Sequence, residues 1–132
     1  MTVPASTEPA ASPFKSRSGL QRLWRALGYS LAGLRAALRH EATFRQELLI
    51  GLPALALAWW LAPDRWGALA MSLAVLAVWV VELLNSALET VADAVSLEAH
   101  PLIGRAKDIA SAAVMLSLAG AVLVWAVVLW PA

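Results

Sequence analysis

A stripe of polar side chains interrupts an otherwise apolar segment, VVELLNSALETVADAV at residues 80–95. The stripe consists of Glu82, Asn85, Glu89 and Asp93. Because each residue of an α-helix turns by about 100°, these four side chains fall within roughly 80° of one another on one face. An ionised carboxylate that faces lipid costs several kcal/mol, so we expect this face to contact protein or water.

The four polar side chains differ in their expected depth. Glu82 is the deepest, which makes it the best candidate for a general base. Glu89 is shallower, and its oxygens are the kind of ligand that Mg²⁺ prefers. The same stripe could instead hold helices together or line a proton or ion path. The residues alone leave these three functions open, although two glutamates seven residues apart fit the structural role poorly, since each needs a partner.

Potential partners for the stripe occur farther along the chain, at Arg105, Lys107 and Asp108. These residues are expected at the same membrane depth as Glu89 and Asp93. A mixture of acids and bases there could hold a metal-bound phosphate, with the lysine as a point charge. It could equally form interfacial salt bridges, each of which stabilises little. Asp93 is expected to be a structural partner of this basic segment.

Two more carboxylates, Glu41 and Glu47, lie in the stretch HEATFRQE at residues 40–47. The familiar nucleotide-binding patterns are missing from the sequence, which has no G-x-x-x-x-G-K-[ST] and no H-R-D or D-F-G. His40 and His100 have no second ligand at helical spacing, and there are no cysteines. We therefore expect no zinc site.

The composition predicts an all-α integral membrane protein. Of the 132 residues, 61% are hydrophobic and only 14% are charged, whereas soluble proteins contain about 25% charged residues. Residues 1–18 are rich in Pro, Ser, Thr and Ala and lack the apolar run of a secretory signal, so we expect a disordered tail. Residues 19–132 are expected to form one membrane-embedded domain.

The hydrophobic pattern predicts one surface helix and three transmembrane helices. Leucines and Trp24 recur at helical spacing between basic residues over 19–39, which is typical of a helix in the membrane interface. The predicted spans cover about 44–62, 66–95 and 109–130. A tight turn at 62–65 and a polar connection at 96–108 separate these spans.

The distribution of basic residues predicts the topology. Nine of the ten Lys and Arg residues lie in the N-terminal segment or in residues 96–108, and one lies in the 62–65 turn. Basic segments remain preferentially on the cytoplasmic side of a membrane. We therefore expect a cytoplasmic N-terminus and a periplasmic C-terminus.

Three stretches together resemble the prokaryotic diacylglycerol kinase family: VELLNSALETVADAV, GYSLAGLRAALRHEATFRQE and GRAKDIASAAV. The resemblance extends over about residues 19–130 in the same order. Its most specific part is the E-x-x-N-S-A-x-E pattern followed by A-K-D. The resemblance implies a lipid kinase of the bacterial inner membrane that transfers the γ-phosphate of MgATP to diacylglycerol. It also implies a homotrimer with shared active sites and no nucleic-acid partner.

The resemblance also implies roles for individual residues. Glu82 matches the proposed catalytic base, Glu41 and Glu89 match the metal-binding glutamates, and Asn85 matches a supporting amide. Further matches to the ATP-binding positions are Arg22, Tyr29, Glu41, Glu89, Glu98, His100, Lys107 and Asp108. The matches to the lipid-binding positions are Arg22, Glu47, Glu82, Ser111 and Trp125.

Departures from the family pattern are modest. The segment before residue 19 is longer than the family minimum, Ala94 stands where relatives often have an arginine, and Pro101 lies in the nucleotide-facing segment. A related branch of the family phosphorylates undecaprenol, and the EATFRQE stretch looks more like the diacylglycerol branch. A small oligomeric proton-coupled transporter is the alternative from another class. The GRAKD cluster argues against a transporter, because a proton path needs no phosphate-sized basic site.

Overall fold

The protein, described here by a computed structural model over residues 19–131, consists of α-helices and their short connections. Within this range there is no β-strand, which confirms the predicted all-α class. The predicted disordered tail, residues 1–18, lies outside the described residues. The four helices are α1 (Gly19–His40), α2 (Ala42–Leu61), α3 (Arg65–Val95) and α4 (Pro101–Leu129).

The chain divides into two units, residues 1–35 and 36–132. The described part of the first unit is the stretch of α1 over residues 19–35, whose side chains are all exposed. They include the leucines and Trp24 of the apolar stripe. The helix begins at Gly19, as expected, and ends one residue later than expected, at His40; its position on the membrane surface stays a prediction.

Helix α3 is the centre of the second unit. Both α2 and α4 pack against it, whereas α4 has no buried residue of its own. The buried residues of α3 are Ala68, Met71, Ser72, Val78, Glu82, Ser86 and Ala92. Because these residues recur at roughly helical spacing, they form the face on which the neighbouring helices pack. The polar stripe therefore belongs to the element that organises the unit.

The start of α3 is fixed by Asp64, whose carboxylate accepts a hydrogen bond of 2.7 Å from the backbone N–H of Gly67. This is the usual N-cap arrangement, and it confirms the predicted turn between α2 and α3. From Arg65, α3 runs for 31 residues, or about 46 Å at 1.5 Å per residue, which exceeds the hydrocarbon thickness of about 30 Å. One end of the helix must therefore project from a membrane core.

Two helices of the described chain, α3 and α4, are long and apolar enough to cross a membrane. Helix α2 is less apolar, because Arg45, Gln46 and Glu47 occupy its first two turns. The two spanning candidates fit a membrane location for the protein.

The connection between α3 and α4 is shorter than predicted. Helix α4 begins at Pro101. The prediction of a polar connection over 96–108 was therefore wrong for residues 101–108. Proline is well suited to the first helical position, where its missing N–H would have no partner in any case. The Nδ1 atom of His100 accepts a hydrogen bond of 3.2 Å from the N–H of Leu102 and caps the helix. Lys107 and Asp108 lie on α4, in agreement with the expectation that Arg105, Lys107 and Asp108 open the third transmembrane helix.

At Gly51, the side chain of Trp79 from α3 lies directly against the backbone of α2. A Cβ atom added there would lie 2.5 Å from Cζ2 of Trp79. The same indole donates a hydrogen bond of 3.3 Å from Nε1 to the carbonyl oxygen of Glu47. Its ring therefore lies directly on the backbone of α2, at a position that only glycine leaves open.

Replacement of Gly51 by alanine tests this contact. Inside a helix, replacing glycine by alanine normally stabilises the folded protein by about 1 kcal/mol. An extra methyl group in a packed interface, however, destabilises the folded protein by about 1–3 kcal/mol. We expect Gly51→Ala to lower the midpoint of thermal unfolding in detergent, because the hydrogen-bonded indole cannot easily retreat. The matched control is Gly120→Ala, where a Cβ would meet no atom within 4 Å. The midpoint of thermal unfolding of this variant should be unchanged or higher. Equal stability of the two variants would contradict the close approach.

Candidate active site

Glu82 is the buried acid at the centre of the candidate site, with a residue exposure of only 4%. Its carboxylate lies close enough to those of Glu41, Glu47 and Glu89 for electrostatic interaction. The four carboxylates come from the start of α2 and from the second half of α3. Like charges at short range oppose one another, so this arrangement is suited to a cationic ligand or a proton donor.

Glu41 is the single residue between α1 and α2, where the backbone is extended. Glu41 is the N-cap residue of α2, but its side chain makes no capping hydrogen bond. The guanidinium of Arg45 donates to the carbonyl oxygens of Leu38 and Arg39, at 3.0 and 3.1 Å, and satisfies the last turn of α1. Because its side chain makes no capping hydrogen bond to α2, the Glu41 carboxylate can bind a ligand.

Asn85 lies between the two glutamates of α3. Its Nδ2 atom donates to Oε1 of Glu89 over 3.4 Å. Its Oδ1 atom is buried and has no hydrogen-bond partner among residues 19–131, and the same is true of Oε2 of Glu47. Buried polar atoms are almost always paired. These two unpaired acceptors therefore mark a place where a hydrogen-bond donor from a ligand or from water can bind.

A basic side chain borders the carboxylates from α4. Nζ of Lys107 lies 2.8 Å from Oδ1 of Asp93, and both side chains are partly exposed. The amine also interacts electrostatically with Glu89. The expected partnership between Asp93 and the basic segment is confirmed. A partly exposed pair contributes little stability, so its main effect is to fix where the lysine amine lies.

The other residues predicted for the site are distributed along the chain. Glu98 and His100 are exposed in the connection before α4, and Asp108 and Ser111 are exposed on α4 itself. Arg22 and Tyr29 are exposed residues of α1 and belong to the first unit. Their proposed roles remain predictions.

Trp125 does not lie beside the carboxylates. Its Nε1 atom donates a hydrogen bond of 3.2 Å to the carbonyl oxygen of Met71. Met71 precedes Glu82 by eleven residues, or about 16 Å along the helix axis. The structure therefore places Trp125 at a different depth from the acidic residues, and its role at the lipid remains a prediction.

Two residues of the site surroundings were not predicted from the sequence, Arg45 and Trp79. Both donate hydrogen bonds to backbone carbonyl oxygens. Every residue has such an oxygen, so the sequence does not indicate which one is bonded. The only available hint for Trp79 is its position three residues before Glu82, which places the two side chains on the same side of a helix.

Comparison with known proteins identifies the family. Residues 28–129 match the family of prokaryotic diacylglycerol kinases. The chain is 48% identical over 119 residues to a diacylglycerol kinase of Pseudomonas aeruginosa, with 89% of this chain and 96% of the relative covered.

Two further relatives agree. The chain is 45% identical over 113 residues to a diacylglycerol kinase of Escherichia coli, covering 86% of this chain and 93% of the relative. It is 39% identical over 113 residues to a diacylglycerol kinase of Haemophilus influenzae, covering 86% of this chain and 96% of the relative. With the family match and these relatives extending over most of its length, this chain belongs to the prokaryotic diacylglycerol kinase family.

Proposed function

We propose that this protein is an integral membrane kinase that transfers the γ-phosphate of ATP to the hydroxyl group of diacylglycerol and forms phosphatidic acid. The observation that carries the proposal is the buried Glu82 among three other carboxylates, in a chain whose relatives are named diacylglycerol kinases. A buried acid beside unpaired acceptors is suited to activate a hydroxyl group.

Glu82 is the general base of the proposed reaction. Its carboxylate accepts the proton of the lipid hydroxyl, whose oxygen attacks the γ-phosphorus. The new O–P bond forms as the bond from the γ-phosphorus to the bridging oxygen breaks, and ADP leaves. Phosphoryl transfer depends mainly on positioning and on charge stabilisation. Asn85 supports the site through its contact with Glu89.

The donor set fits Mg²⁺ bound together with the phosphates of ATP. The described residues contain no group of three or more His, Asp or Glu side chains able to hold a metal by themselves. Magnesium, however, is commonly bound by one or two carboxylates while phosphates and water complete its shell. Glu41 and Glu89 would be those two ligands. When bound, the ion offsets the negative charge of the transferring phosphate.

The remaining ATP contacts are assigned to basic and polar side chains around the acids. Lys107 acts as a point charge on the phosphates, and Asp93 fixes its amine. The other residues proposed to contact ATP are Arg22, Tyr29, Glu98, His100 and Asp108.

The lipid-binding residues in this proposal are Arg22, Glu47, Glu82, Ser111 and Trp125. Glu47 is the one that lies beside the proposed base, and its buried Oε2 has no partner in the described chain. A hydroxyl group at the membrane surface could donate to this atom as it approaches Glu82.

The membrane arrangement is part of the same proposal. Residues 19–132 act as one domain, with α2, α3 and α4 spanning the bacterial inner membrane and α1 on its surface. The N-terminus is cytoplasmic and the C-terminus periplasmic, which follows from the basic residues. The functional form is a homotrimer with shared active sites. No observation favours a proton-coupled transporter.

Neutralising the proposed base tests the mechanism. We expect Glu82→Gln to reduce lipid-dependent ATP consumption by at least about 100-fold, the lower range for general acid–base catalysis, while the protein remains folded in detergent. Asp64→Asn is the matched control, because it also converts an acid to an amide on the same helix and asparagine caps as well as aspartate. It should retain activity. Full activity of Glu82→Gln would exclude Glu82 as the base.

The choice of lipid is tested by phosphorylation in mixed micelles. Purified protein receives labelled ATP with either diacylglycerol or undecaprenol, which bear a hydroxyl group on very different chains. We expect efficient labelling of diacylglycerol. A strong preference for undecaprenol would assign the protein to the other branch of the family.

A further inference from the structure

Trp79 makes two contacts with α2 at the depth of the acidic residues. Its Nε1 atom donates to the carbonyl oxygen of Glu47 over 3.3 Å. Its ring lies so close to Gly51 that a Cβ there would be 2.5 Å from Cζ2. No described residue between Glu47 and Gly51 makes a comparable side-chain bond to α3.

Helical spacing explains why these contacts matter for the site. Gly51 follows Glu47 by four residues, so both lie on the side of α2 that faces the indole. Glu82 follows Trp79 by three residues and lies on the same side of α3. One indole therefore sets the separation of the two helices at the turn where Glu47 and Glu82 approach each other.

The side chain of Glu47 depends on this backbone contact for its position. Its Oε2 atom is buried and makes no hydrogen bond within the described chain. Its carboxylate is also opposed by the like charge of Glu82. Since that interaction is repulsive, the contact made by Trp79 contributes to holding this turn of α2 against α3.

We propose that Trp79 is a positioning residue for lipid binding, which holds the Glu47 turn of α2 beside Glu82 through the indole N–H. The inference rests on the proposed kinase function and deepens it. The lipid-contacting side chain on α2 and the base on α3 are then held at a fixed separation. Nothing in this contact acts on the nucleotide.

Trp79→Phe removes the indole N–H that donates the hydrogen bond and keeps an aromatic ring at this position. We expect the KM for diacylglycerol to rise about fivefold, which corresponds to the net contribution of one hydrogen bond, with the KM for ATP unchanged. Trp60→Phe removes an exposed indole of α2 and should leave both constants unchanged. An unchanged KM for diacylglycerol in Trp79→Phe would overturn the proposal, and so would an equal rise in both constants.

A second variant shows whether Trp79 acts through Glu47. In a Glu47→Gln background, the further change Trp79→Phe should raise the lipid KM much less than in the wild type, because coupled residues are not additive. A fully additive effect would assign Trp79 to packing alone. If Trp79→Phe does not fold, Gly51→Ala displaces the same indole and should raise the lipid KM by a similar factor; an unchanged value would overturn the proposal.

Wild-type turnover of diacylglycerol is measured first in this series. Its absence would contradict the kinase function itself. Turnover in the wild type with no lipid-specific change in the variants would contradict only the role of Trp79.

Discussion

Water cannot solvate a carboxylate that is enclosed between apolar helices, so such a group persists only where other atoms or a ligand compensate for the lost water. Glu82 is in this situation, and its carboxylate neighbours Glu41, Glu47 and Glu89 add repulsion instead of relief. The unpaired acceptors at Glu47 and Asn85 show that the described chain does not complete the compensation itself. A proton donor and a cation are the ligands that this environment favours.

The rest of the structure positions these acids despite their repulsion. Asp64 fixes where α3 begins, and Trp79 holds α2 against it. Arg45 caps the end of α1, and the Glu41 side chain makes no capping hydrogen bond at the start of α2. On α4, Lys107 pairs with Asp93 and supplies a positive charge that interacts with Glu89. Each of these contacts contributes little stability alone, but together they determine which charges face the ligand.

The spacing of residues predicted much of this arrangement. Helical periodicity placed Glu82, Asn85 and Glu89 on one face and indicated α1, and the runs of apolar residues located α2, α3 and α4. The beginning of α4 was misplaced because Pro101 was interpreted as part of a connection, although proline favours the first turn of a helix.

Contacts to backbone atoms were beyond sequence reasoning. Trp79 bonds to a carbonyl oxygen 32 residues away, and Trp125 bonds to one 54 residues away. Every residue has a carbonyl group, so no residue type identifies such a partner. The roles of Arg22, Tyr29, Glu98 and Ser111 likewise depend on the family resemblance, because their exposed positions alone do not select a ligand.

We propose that the acids around Glu82 form a site for a metal–nucleotide ligand. The most direct measurement is the midpoint of thermal unfolding in detergent, with and without Mg²⁺ and a non-hydrolysable ATP analogue. A ligand at 100 times its Kd stabilises by about 2.7 kcal/mol, so the wild type should show a clear rise and Glu89→Gln only a small one. No rise in the wild type, or an equal rise in Glu89→Gln, would contradict the claim.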